Sequence, residues 1–296
     1  MKKLKLNFDV PYGACDTHHH IFNPKEFAPV DSDMRNIKEV GEWTDDRPPH
    51  TAEEYQEFMS ATGVTHNIIV ATSAYGYDVR SDLDAMKKLG PDTTRAILWF
   101  KPDVTDAQLE EWHKLGVRGS RAFMMFADKG EHSRILAPRL AELGWNLDFC
   151  FMKSKDFYEA IPFLEKLPGN IVIDHQALIT DVNDKALPEL IRLMKEHKVW
   201  VKLSGIFRYT DTPDFANNVA VSKALVEAAP ERLLWATDWP HNWSDLSPII
   251  TTDETELGHD TGTLLKLLPE QIVDEKLRKM ILVDNPAELY GFDLTK

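Results

Sequence analysis

Short apolar runs alternate with amphipathic stretches along almost the whole chain. The runs predict eight strands, at residues 13–22, 66–74, 95–101, 116–124, 145–152, 170–176, 199–206 and 232–237. Several carry Val, Ile, Leu and Phe at successive positions, the pattern of parallel strands covered on both faces. The stretches between them predict helices at 51–62, 80–89, 106–115, 133–143, 155–167, 184–197 and 214–228. Thr51 with Glu54 three residues later has the form of a capping box. A last helix is predicted at 270–282, and Asn285-Pro286 stops or restarts the chain after it. Eight strands, each followed by a helical stretch, predict an α/β fold, a (β/α)₈ TIM-like barrel in one domain spanning 1–296. An open doubly wound sheet is the competing arrangement. No Gly-x-Gly-x-x-Gly phrase follows any strand, which counts against it.

Two stretches break the alternation. Residues 23–50 are polar and contain proline; residues 242–269 are long and acidic. They follow the first and last strands, so both are expected on the C-terminal rim, where long loops act as lids.

Composition narrows the partners. The chain has 296 residues, 43% of them hydrophobic, and a formal net charge of −14. That charge argues against nucleic acid or an anionic membrane, which both call for a basic surface. A few arginines inside a cleft still suffice for a small anionic substrate. Cys15 and Cys150 are too few for a disulfide framework, and each lies in an apolar run that suits a small buried side chain. With no signal-like or membrane-length apolar segment, a cytoplasmic protein is expected. A homo-oligomer is compatible with this composition.

The chemistry gathers at strand ends. Cys15-Asp16-Thr17-His18-His19-His20 closes the first strand, and Ala236-Thr237-Asp238-Trp239-Pro240-His241 closes the last. Side chains alternate along a strand, so His18 and His20 share a face and His19 packs away from them. If the first and last strands are neighbours in a closed barrel, two imidazoles and the Asp238 carboxylate meet at one rim. His175 ends the sixth strand, with Asp174 expected to point the other way. Asp238 is suited to act as a general base for water or as a metal ligand, and His241 is a weaker candidate. Arg121 after the fourth strand and Arg208 after the seventh are suited to hold a carboxylate or sulfonate. Ser73, Tyr75 and Tyr77 offer hydroxyls on the loop after the second strand. Trp43, Trp239 and Trp243 are candidate pocket walls, and Lys202 reads as structural.

These phrases, with the closing Asn285-Pro286-Ala287-Glu288-Leu289-Tyr290, resemble the lactonase branch of the amidohydrolase superfamily. That branch includes 2-pyrone-4,6-dicarboxylate lactonase and the sulfomuconolactone hydrolases. The resemblance implies a distorted barrel and a role in aromatic catabolism. It also implies lactone hydrolysis, with His18, His20 and His175 polarising the carbonyl and Asp238 activating water. Arg121, Arg208 and Ser73 would then contact the substrate, and Tyr75 is expected with them from its place on the same loop as Ser73. Departures point away from a pyrone dicarboxylate. Cys150 replaces a tyrosine on the fifth strand, and Ala177-Leu178 replaces a glycine-arginine pair after the strand-six histidine. A muconolactone, sulfomuconolactone or sugar-acid lactone fits the reduced set of arginines. The cofactor expectation is none, as the branch implies, or one Zn²⁺ held by His18, His20, His175 and Asp238. A metal-dependent decarboxylase and a lactone isomerase are the alternatives on the same scaffold.

Overall fold

The computed structural model describes residues 4–27, 49–123, 130–196, 199–209, 214–241 and 261–295. All eight predicted strands form: β1 Cys15–His19, β2 His66–Val70, β3 Thr94–Leu98, β4 Val117–Phe123, β5 Asn146–Cys150, β6 Asn170–Ile173, β7 Val199–Leu203 and β8 Leu233–Trp235. They are parallel and ordered one to eight. The sheet curls until β1 meets β8, with a bridge between His19 and Trp239. Asp238 donates its backbone N–H to the His18 carbonyl at 2.9 Å, and His20 donates to the Trp239 carbonyl at 2.9 Å.

Asp16 completes the closure. It lies on β1, fully buried, and accepts from the His18 and Thr237 backbone N–H groups at 3.2 and 2.9 Å and from the Thr237 and Tyr55 hydroxyls. Strict alternation would aim Asp16 the same way as His18. A register shift between Asp16 and His19, an extra residue on β1 relative to β2, turns it outward instead. Burial lifts its carboxyl to about 6 despite these four donated bonds.

Helices cover the outside. After β1 to β7 come α1 Ala52–Thr62, α2 Arg80–Leu89, α3 Asp106–Leu115, α4 Glu131–Glu142, α5 Ser154–Leu164, α6 Ala186–Glu196 and α7 Ala216–Ala228. The Thr51–Glu54 capping box is present, and Thr105 with Gln108 forms a second. The chain after β8 differs from expectation. Short helices α8 Thr261–Lys266, α9 Leu268–Gln271 and α10 Glu275–Lys279 take up part of the predicted 242–269 loop and the 270–282 helix. A π-helical turn at Met280–Asp284 then leads directly into α11 Asn285–Tyr290, so Asn285-Pro286 restarts a helix. Proline at a first helical turn loses no hydrogen bond.

Two apolar layers result. One lies between strands and helices; the other fills the barrel, with Cys15, Ile68, Val70, Ile97, Val172, Trp200, Leu234 and Tyr290 packed together. Above that inner layer, toward the C-terminal ends of the strands, the lining turns polar. Most of the 23–50 stretch, along with Trp43, Trp243 and residues 242–260, lies outside the described residues.

Candidate active site

β1 and β8 bring the predicted residues together. His18 Nε2 and His20 Nε2 are 3.3 Å apart. Asp238 Oδ1 lies 3.5 Å from the first and 3.4 Å from the second. His175 Nε2 is 3.9 Å from the same oxygen. His18, His175 and Asp238 are buried, while the His20 side chain keeps 15% exposure and forms the open side of the group.

Each ring is held through its other nitrogen. His20 Nδ1 lies 2.7 Å from the Val70 carbonyl, which can only accept, so Nδ1 carries the proton. His175 Nδ1 is 2.8 Å from Ser204 Oγ. His18 Nδ1 is 3.2 Å from Asp174 Oδ1. Burial pushes both His18 and His20 below the ordinary imidazole range, which disfavours a charged ring. A neutral His20 protonated on Nδ1 offers a lone pair at Nε2. The cluster is therefore rich in acceptors and draws a positive charge.

The spacing bears on which charge suits it. Zn²⁺ with ligands at about 2.0–2.1 Å in a tetrahedron separates them by about 3.3–3.4 Å. The edges of 3.3, 3.4 and 3.5 Å among His18, His20 and Asp238 are of that size. His175 Nε2 stands farther out, 3.9 Å from Asp238 Oδ1, and its ligand atom lies within 4.8 Å of those of His18 and Asp238.

His175 and Asp238 reach the site by an unusual backbone. Both have positive φ, 55° and 59°. From Val172 inside the barrel, alternation carries Asp174 inward and His175 outward. Asp174 does point inward, onto His18, contrary to the expected opposite face. His175 nevertheless joins the cluster because β6 stops at Ile173 and a left-handed turn follows through His175, Gln176 and Ala177. Non-glycine residues held in this region store strain of order 1–3 kcal/mol each and collect at functional sites. Gly205 makes room: a Cβ there would sit 2.5 Å from His175 Nδ1.

Beneath the cluster lies a layer that sequence reasoning placed in the background. Lys202, fully buried on β7, puts Nζ 2.6 Å from Asp148 Oδ2, 3.1 Å from Asp174 Oδ1 and 3.2 Å from His18 Nδ1. Lys202 is thus structural but touches the site directly. Burial alone would raise the Asp174 carboxyl; Lys202 and His18 outweigh it and hold the group well below its usual range. Cys150 shares the interior face of β5 with Asp148. Its sulfur lies with ligand atoms of Asp174 and His175 within 4.8 Å of one another, so Cys150 belongs to the floor of the site. Parity with Asp148 was the available signal.

Arg121 is 5% exposed at the rim. It donates to the Ala71 carbonyl at 2.7 Å, lies 3.8 Å from Asp174 Oδ2 and stacks on Phe123. Its buried Nε has no acceptor among the described residues. Ser73 is buried in a 3₁₀ turn after β2. Tyr75 has a different occupation from the one expected: its hydroxyl accepts the Asn23 N–H at 2.8 Å and its ring packs near Phe22, fixing the start of the loop after β1. His19 packs outside the barrel as expected, stacked on Tyr55 and bonded to Asn67. Trp239 packs there too, against Tyr55 and Phe58. His241 stands edge-on to Phe207. The Arg208 side chain lies outside the described part of the molecule.

The amidohydrolase family model matches residues 15–292. The chain belongs to the amidohydrolase family. It is 32% identical to a 4-sulfomuconolactone hydrolase of Hydrogenophaga intermedia, over 97% of this chain and 91% of that one. It is 30% identical to a 2-pyrone-4,6-dicarboxylate hydrolase of Comamonas testosteroni, over 97% and 92%. An apo crystal structure from Agrobacterium tumefaciens superposes with a TM-score of 0.82 at 22% identity, covering 98% of this chain and 99% of that one, which supports the barrel itself. Within this amidohydrolase, no helix among the described residues is long and apolar enough to cross a membrane.

Proposed function

We propose that this amidohydrolase opens a small lactone bearing a carboxylate or sulfonate. The observation that carries the proposal is the convergence of His18, His20 and His175 on one oxygen of Asp238. The similarity to two lactone hydrolases supports the substrate class.

Asp238 accepts a proton from water as the water oxygen attacks the lactone carbonyl carbon. The tetrahedral intermediate then collapses, the ring C–O bond breaks, and Asp238 returns the proton to the leaving oxygen. The carbonyl oxygen is placed at the His18, His20 and His175 corner, the side of the cluster that draws a positive charge. His18, His20, His175 and Asp238 would hold Zn²⁺ there, which when bound supplies Lewis acidity and a bound water with a pKa near about 7. Without a metal, the more open His20 ring would polarise the carbonyl only by taking up a proton on Nε2 against the cost of its burial. Arg121, with an Nε free of acceptors among the described residues, binds the acid group, and Arg208 is assigned to the same task. Burial of the cluster excludes bulk water and strengthens each of these interactions.

A panel of carboxylated and sulfonated lactones tests the proposal, run with the enzyme as purified and after chelation. Ring-opened diacid product is expected. A product that is still a lactone would assign isomerisation, and carbon dioxide release would assign a decarboxylase. Activity that survives chelation would place the positive charge on an imidazole.

A further inference from the structure

On the β3–β4 side, the inner layer of the barrel continues upward into a wall of aromatic rings. Ile97 packs inside the barrel and pairs in register with Gly119, where a Cβ would sit 2.8 Å from the Ile97 side chain, so both positions face the lumen. Alternation then carries Trp99, Arg121 and Phe123 to the same side, above that layer. Their chain neighbours agree, since Phe100 and Ala122 pack in the outer layer under the helices. Tyr77, on the loop after β2, joins them. The Trp99 ring lies 4.7 Å from Phe123 and 4.8 Å from Tyr77, tilted by 60° and 51°. Tilted contacts of this kind are favourable, and each ring is held by its neighbour. A cation stands at each end: Arg121 lies 4.2 Å over the Phe123 ring, and Lys101 Nζ lies 5.3 Å over Tyr77. The inner cation reaches the cluster, because Arg121 is 3.8 Å from Asp174, which contacts His18. An acid group bound at Arg121 therefore sets the rest of a small substrate beside these rings.

Such a wall discriminates between rings. Trp99, Phe123 and Tyr77 offer carbon surface, broken by one indole N–H and one phenol hydroxyl. A sugar-acid lactone carries several ring hydroxyls, and each that leaves water for this surface needs a hydrogen-bond partner or loses one. A flat unsaturated lactone has no ring hydroxyl, and its sp² carbons gain contact with the rings without that penalty. We propose that Trp99, Phe123 and Tyr77 are specificity-determining residues that select a flat, unsaturated lactone ring over a saturated, hydroxylated one. In turnover this selection rests on the proposed lactone chemistry; the preference between rings does not. Trp99 is the middle ring. It touches both others and is only 5% exposed, so the wall is set before a substrate arrives.

Two matched acids test the preference without a reaction. Furan-2-carboxylate is flat and unsaturated; tetrahydrofuran-2-carboxylate has the same ring size but is puckered. NMR titration of each into the full-length protein reads the affinities. The flat acid is expected to bind about three- to tenfold more tightly, and Trp99→Leu and Phe123→Leu are expected to remove most of that difference. Equal affinities in the wild type, binding of neither acid, or a preference undiminished in both variants overturns the proposal. Turnover supplies the second arm. For the wild type, kcat/KM on muconolactone is expected to exceed that on an aldaric acid lactone of the same ring size by at least about 100-fold, and the ratio is expected to fall about tenfold in Trp99→Leu. Equal values for the two lactones, or a preference for the hydroxylated one, overturn the proposal. Both readouts are ratios, so a partly folded variant does not distort them, and where a variant does not fold the wild-type values decide. A preference for the flat acid with neither lactone opened would end the lactone reading and leave the wall standing.

Discussion

An imidazole's work in this protein is decided by its far nitrogen. The Val70 carbonyl, Ser204 and Asp174 hold the far sides of His20, His175 and His18 in turn. Zn²⁺ titrated into the chelated enzyme is therefore expected to bind at one site per chain, and His20→Ala to weaken that site. Two equivalents, or undiminished affinity in the variant, would contradict the geometry; calorimetry reads both. Asp82 on α2 gives a prediction of another kind. Burial lifts its carboxyl to about 8, and its Oδ1 has no partner among the described residues. An unfolded aspartate titrates near about 4. Between these values the folded chain keeps a proton that the unfolded chain releases, so stability falls as pH rises through that window. Asp82→Asn is expected to melt above the wild type at pH 8 and close to it at pH 4. Equal melting temperatures at pH 8 would contradict the assignment. At this scale His18, His20 and Asp238 were legible, because period two and a strand end suffice to make them converge. The inward turn of Asp174 and the contact of Lys202 with His18 depend on which face of β6 and β7 is the lumen. One strand's pattern does not reveal that when both faces are apolar.

Elements decide how the residues are aimed. β6 is predicted to run to residue 176 but ends at Ile173. The reason is the left-handed run that begins at His175, in residues that carry no glycine signature. Asp238 hides a similar turn after β8. Turns made by glycine and proline can be read from sequence; turns imposed on His, Gln, Ala and Asp by tertiary packing cannot. The capping boxes illustrate the opposite case, since Thr51 and Glu54 fix the start of α1 by local bonds alone. Gly205 links β7 to the site. It has φ of 61°, and a side chain there would strike His175. Gly205→Ala is expected to lower kcat on the order of 100-fold while the fold survives, by displacing a site group by about an ångström. A kcat within twofold of wild type would mean that His175 tolerates the shift or does not act.

The whole molecule depends on the meeting of its first and last strands. That meeting creates the site, because His18 and His20 come from one and Asp238 from the other. Asp16 holds the seam. Asp16→Ala leaves the Thr237 N–H, two hydroxyls and the His18 N–H without their buried acceptor. A loss of at least about 2 kcal/mol is expected in denaturant unfolding, and a loss below 0.5 kcal/mol would contradict a sealing role. The barrel was legible from eight strand–helix repeats, since each apolar run had one partner pattern available. The ends of the chain were less legible, because α8 to α11 follow no repeat. The central claim is that Asp238 moves the proton of the attacking water in a pocket closed by that seam. Steady-state kinetics of Asp238→Asn on an intact sulfonated or carboxylated lactone that the wild type opens, with ligand binding measured alongside, test it most directly. Binding close to wild type with kcat lowered by at least about 100-fold is the predicted result; turnover at the wild-type rate would contradict it.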